Sequence, residues 1–195
     1  MSPPPENPSS TKTHAIAEFS PQERALLLKL AHDAIATAAA GRKFLPEAPS
    51  PHLSELRGAF TTLYLHGDLC GCVGYATAIA PLYRTVADTA QAAAFDDQRF
   101  PALRAEEIPA LEVSLSILSP LQAIDPRDIE IGRHGLVIGL SNQRGLLLPQ
   151  VPAELGWDPV TFLEQTCRKA GLPLDAWQHG ATVEAFTAEV FGDRS

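Results

Sequence analysis

The residues best placed to do chemistry lie in Leu69-Cys70-Gly71-Cys72-Val73-Gly74, where two thiols two positions apart alternate with glycines. In an extended strand such positions leave the same face, so both thiols are expected on one side, with Gly71 offering no side chain to cover them. Glycine inside a strand also lets a ligand or another backbone come close, which makes Gly71 and Gly74 candidate binding positions. A nucleophilic Cys72 needs a cation or an imidazole to stabilise its thiolate. His134, in Gly132-Arg133-His134-Gly135, is the candidate base. The competing reading is structural, since free cysteine often serves as a small apolar filler in a strand. Structural zinc needs four ligands, and no second paired Cys or His motif follows, so neither a metal nor a cofactor is expected.

Three further segments carry polar groups at element ends. Asp96-Asp97-Gln98-Arg99-Phe100-Pro101 combines carboxylates, a guanidinium and an aromatic ring. Arg99 is a candidate anion-binding residue there; the alternative pairs it with Asp96 or Asp97 while Phe100 fills the core. Leu146-Leu147-Leu148-Pro149-Gln150 ends an apolar run at a proline, which leaves the Gln150 amide as a candidate binding group at the sheet margin. Cys167 shares a helical stretch with Phe162, Leu163 and Thr166 and reads as packing, as does Trp157.

These residues need elements to position them. Residues 1–17 are rich in Pro, Ser and Thr without periodicity and are expected to be a disordered tail. Ser20-Pro21-Gln22-Glu23 is a capping box with proline at the first helical position, and apolar residues recur from it at helical spacing up to Gly41. Next comes a strand over 58–65, a turn at His66-Gly67-Asp68 and a strand over 69–73. A helix opens at Pro81, and an alternating strand covers 111–117. The order then recurs: strands over 135–140 and 145–148, a helix capped by Asp158 and stopped by Gly171, and a closing strand over 182–191. The expectation is an α+β fold in residues 18–193, a single domain. Duplicated β-β-α-β units would share a mixed, barrel-like sheet flanked by helices, with an N-terminal helix besides.

Composition narrows the function classes. With a formal net charge of −8 and no basic cluster, the chain would meet repulsion from a nucleic-acid backbone. No apolar run is long enough for a membrane helix. The beginning of the sequence lacks a secretory pattern, and three cysteines are not a disulfide framework, so a cytoplasmic location is expected.

Five collinear stretches resemble one family. They are residues 69–74; Ala93 to Pro101; Leu111 to Pro120; Gly132 to Leu136; and Gly145 to Val151 continuing through Gly156-Trp157-Asp158 to Leu172. Together they are similar to the AMME chromosomal region proteins, called AmmeMemoRadiSam system protein A in prokaryotes. The resemblance implies an α+β domain with a barrel-like sheet and a cleft near a Leu-Arg-Gly-Cys-Ile-Gly motif. It also implies association with a Memo-like protein and a radical S-adenosylmethionine protein. Cys72 matches the motif's cysteine. The chain departs from the pattern at Cys70, where the family has arginine, and at Tyr75, where it usually has threonine. Two readings of function follow. In one, a cleft around Cys72, with His134, Arg99 and Gln150, binds a small molecule or a modified side chain and acts on it through the thiol. In the other, the chain is a non-catalytic adaptor for those two partners.

Overall fold

The computed structural model describes residues 17–194, so the proposed tail lies outside the described residues except for Ala17. The first helix, α1 (Pro21–Ala39), starts where its capping box demands: the Ser20 hydroxyl accepts from the Glu23 amide while the Glu23 carboxylate accepts from the Ser20 amide. Leu27, Leu30, Ala31, Ala34 and Ile35 form its buried stripe.

The remaining elements are β1 (Ala59–Leu65), β2 (Asp68–Tyr75), α2 (Leu82–Phe95), β3 (Leu111–Leu118), β4 (Gln122–Ala123), β5 (Gly135–Leu140), β6 (Gln143–Leu147), α3 (Gln150–Leu155), α4 (Pro159–Lys169), β7 (Thr182–Phe186) and β8 (Ala188–Gly192). The α+β class, the flanking helices and the N-terminal helix are as expected. The strands, however, divide between two antiparallel sheets, with orders β2-β1-β3-β8 and β4-β7-β5-β6.

Connectivity is the same in both: a hairpin, a helix across its face, then a strand antiparallel to the hairpin's first strand. Each sheet takes its fourth strand from the other half. The chain leaves β3 to place β4 beside β7, and leaves β7 to place β8 beside β3. The closing strand read over 182–191 is therefore two strands, broken at Thr187. The two links cross at Ser119 and Thr187, where the Ser119 amide donates to the Thr187 carbonyl at 2.9 Å and the Thr187 amide to the Ser119 hydroxyl at 3.0 Å.

Each sheet covers its helices with one face. Ala59 and Leu63 of β1 and Val113, Leu115 and Ile117 of β3 are buried with α1 and α2 in one core. Leu136 and Ile138 of β5 are buried with Phe162, Leu163 and Cys167 of α4 in the other. The helix-free faces meet through Leu118, Val137 and Phe186, with Phe60 and Leu146 packed against them.

Candidate functional site

Close packing explains most of the glycines in the cysteine segment. A Cβ on Gly71 would stand 2.1 Å from the Ala93 carbonyl oxygen of α2. One on Gly74 would stand 2.2 Å from the ring of Phe60, its cross-strand partner. The space is filled by a helix backbone in the first case and an aromatic ring in the second. The second sheet repeats both devices: a Cβ on Gly145 would stand 2.3 Å from the Ala170 nitrogen at the end of α4, and one on Gly135 would stand 2.2 Å from the Phe186 ring.

A β-bulge separates the two thiols. Leu63 pairs with Gly71 and Tyr64 with Leu69, so Cys70 is an extra residue opposite no partner. The shift turns Cys70 back towards α2, where it packs against the first core and burial pushes its thiol upward, with Glu107 adding to the shift. Cys72 pairs with Thr62 on the helix-free face. The expectation that both thiols share one face therefore fails, because the bulge breaks the two-residue alternation on which it rests.

Cys72 lies on an edge strand, and that edge is occupied. Its amide donates to Asp97 Oδ2 at 2.9 Å, and its carbonyl accepts from Arg99 Nη2 at 2.7 Å. Asp97 and Arg99 are themselves paired at 2.8 Å. One ion pair thus satisfies both outward backbone groups of Cys72 and blunts the edge. The Arg99 hydrogen bond, then the Cys72 amide, hold the Asp97 carboxyl far below the usual carboxylate range. Asp97 in turn raises the guanidinium of Arg99, to which the Cys72 side chain contributes less. Because its outward-facing backbone turns away from β1, Cys72 and Thr62 form the closer kind of antiparallel pair, and the Thr62 hydroxyl donates to Cys72 Sγ at 3.4 Å.

The structure brings Arg99 to Cys72 but places the other candidates elsewhere. The contacts of His134 do not overlap those of Cys72: its Nδ1 accepts from the Glu130 amide at 3.1 Å, which in the neutral ring puts the proton on Nε2 and leaves no free basic nitrogen. His134 lines a cavity of about 280 Å³ with Gln122, Ile124 and Arg133. Gln150 begins α3 and lines a larger cleft of about 920 Å³ with Arg24, Glu130, Arg133 and the start of β8. The two cavities adjoin, sharing Ser119, Arg133 and Thr187 at the crossing of the sheet links. Cys72 lines neither. Nothing in the sequence singles out Thr62, Ser119 or Thr187. Among the described residues, no group of three or more His, Cys, Asp or Glu side chains could hold a metal ion, and no helix is long and apolar enough to cross a membrane.

The family profile AMMECR1 matches residues 28–191. The chain belongs to the AMMECR1 family. Among its AMMECR1 relatives, a protein of Aquifex aeolicus is 40% identical over 178 residues, covering 86% of this chain and 91% of the relative. Protein MK0488 of Methanopyrus kandleri is 39% identical over 182 residues, covering 87% and 88%. The crystal structure of the uncharacterised protein PH0010 from Pyrococcus horikoshii superposes with a TM-score of 0.72 at 40% identity, covering 86% of this chain and 89% of that one. The two-sheet architecture is thus similar to that of a crystallised AMMECR1 relative. Position 70, where the resemblance sets arginine in the motif, is here the bulged cysteine beside α2.

Proposed function

We propose that this AMMECR1 chain is a cytoplasmic binding protein that docks a Memo-like protein and a radical S-adenosylmethionine protein, and that it is not itself a thiol enzyme. The observation that carries this reading is the isolation of Cys72 from any base: its neighbours are a hydroxyl donor, a carboxylate engaged by Arg99, and packed glycines. The 920 Å³ cleft at the link crossing supplies concave surface of the kind that binding sites use. The repeated connectivity of the two sheets supports descent from a duplicated β-β-α-β unit whose copies pack their helix-free faces together. Co-purification of the tagged chain with each partner tests the reading. A complex that forms equally with Cys72→Ala supports it, and no complex at micromolar concentration sinks it.

A second reading rests on the Thr62 hydroxyl and the Arg99 guanidinium beside Cys72 Sγ. In that reading the two groups position the thiol to attack a small electrophile without an imidazole. Iodoacetamide alkylation of Cys72 no faster than that of an unstructured cysteine peptide would count against it.

A further inference from the structure

The four sheet edges are not treated alike. At β2 the Asp97–Arg99 pair consumes the outward backbone groups of Cys72. At β4 the edge is only two residues long. β6 passes under the end of α4 at Gly145 and is tied to the loop after that helix by Gln143, whose side-chain amide donates to the Gly171 carbonyl at 2.8 Å. β8 has no such cover: among the described residues no strand lies beyond it. The Asp193 amide donates to the Val113 carbonyl at 3.0 Å and the Ser119 amide to the Thr187 carbonyl at 2.9 Å, so the odd-numbered residues 187–193 bond to β3. Ala188 and Val190 therefore turn their backbone N–H and C=O outward, into the 920 Å³ cleft that both line. Val190 is also 62% exposed, an apolar β-branched side chain at the mouth of that cleft.

We propose that β8 is a strand-addition site: an extended segment of a partner polypeptide carrying lysine or arginine pairs with Ala188 and Val190 inside the cleft. This rests on the reading of the chain as a binding protein and names where it binds. Outward backbone groups on alternate residues match another extended backbone and little else. The charged side chains of the cleft set the chemistry of the segment. Glu18, Glu130 and Glu189 outnumber Arg24 and Arg133, on a chain of net charge −8, so basic residues are favoured over acidic ones. Glu189 is held by half-buried Arg24 and Glu18 by buried Arg57, whereas Glu130 is held by Arg133 at 2.8 Å in a pair exposed on both sides, the one a guest cation exchanges most readily.

The probe is the synthetic peptide acetyl-KVTVKVT-amide added to the full chain, with amide exchange read by NMR. The expected result is at least tenfold slower exchange of the Val190 amide, with Cys72 unaffected, and at least tenfold weaker binding to Val190→Pro. Proline is compatible with that position, because the lost N–H faces outward on an edge strand. Unchanged Val190 exchange at millimolar peptide overturns the proposal, as does equal binding to a folded Val190→Pro. The exchange measurement needs no variant, so misfolding of Val190→Pro leaves the test intact. Protection of Val190 without peptide, rising with protein concentration, would make β8 an interface between copies of this chain and would also overturn it. Partners that co-purify while the peptide leaves Val190 untouched would remove the β8 site and spare the binding role. Uptake of the peptide with no partner complex would do the reverse.

Discussion

Gly71→Ala tests whether the glycine in the cysteine segment serves the α2 contact rather than a ligand. The added Cβ would lie 2.1 Å from the Ala93 carbonyl oxygen and 3.0 Å from its carbonyl carbon. Ordinary contact begins near 3.4 Å, so helix and strand must part by roughly 1.3 Å. The contact atoms are backbone on both sides, so no side-chain rotation relieves them. Parting also loosens Ala90, Ala93 and Ala94, all buried in the same core. Overpacking of this kind costs about 1–3 kcal/mol, and the absence of a yielding side chain puts Gly71→Ala at about 3 kcal/mol. With a urea m-value of about 2 kcal/mol/M, the midpoint falls by about 1.5 M. Gly139→Ala is the control. Its Cβ would meet nothing nearer than the Thr182 hydroxyl at 3.4 Å, so its cost should stay within about 0.5 kcal/mol. Equal midpoints for the two variants would refute the packing account and return Gly71 to the list of ligand-facing positions.

The Asp97 carboxyl is depressed in the fold, so its contribution is fully present above the unfolded value of about 3.9 and is lost as pH falls below it. Urea midpoints of wild type and Asp97→Asn should therefore differ by a constant amount between pH 7 and 5 and converge below pH 4. His134→Ala should change the iodoacetamide alkylation rate of Cys72 less than twofold, followed by mass spectrometry in a background where Cys70 and Cys167 are alanine. Mild oxidation should give no Cys70–Cys72 disulfide on non-reducing peptide maps, since the bulge sends the thiols to opposite faces. Ser20→Ala, which removes one half of the α1 capping box, should lower stability by about 1 kcal/mol in thermal melts.

The parts of the fold legible in sequence were those written in local signals. The Ser20 and Asp158 caps, the prolines at first helical positions and the alternation of 111–117 each report on a few neighbouring residues. The parts that escaped depend on pairings between distant residues. The bulge at Cys70 exists only in the register of β2 against β1, and no composition rule marks it. The break at Thr187 interrupts a run that alternates well enough to pass for one strand. Its cause is the exchange of fourth strands between sheets, which places Ala185 beside Gln122 and Ala188 beside Leu118. Glycine in a strand signals close approach, but whether helix, ring or ligand approaches is a tertiary fact. The same holds for Arg99: both of its readings were open in the sequence, and the ion pair with Asp97 is what the fold selects.

Comparing the two sheets shows what is particular to Cys72. Taking Gly71 and Gly145 as the same place under their helices, Cys72 corresponds to Leu146, Thr62 to Val137 and Ser114 to Glu184. In the second sheet this row supplies Leu146 and Val137 to the contact between the sheets, and Glu184 is tied to Arg144 at 2.8 Å. In the first sheet the row is polar, half-buried and outside that contact. Sheet packing accounts for an apolar row there and gives no reason for a polar one. If the row served only stability, Thr62→Val and Cys72→Val would be neutral or stabilising, because each removes a half-buried polar group without leaving its partner charged. The binding role proposed above expects partner binding to survive in these stable variants; its loss would move docking from the β8 edge to this row across the same sheet.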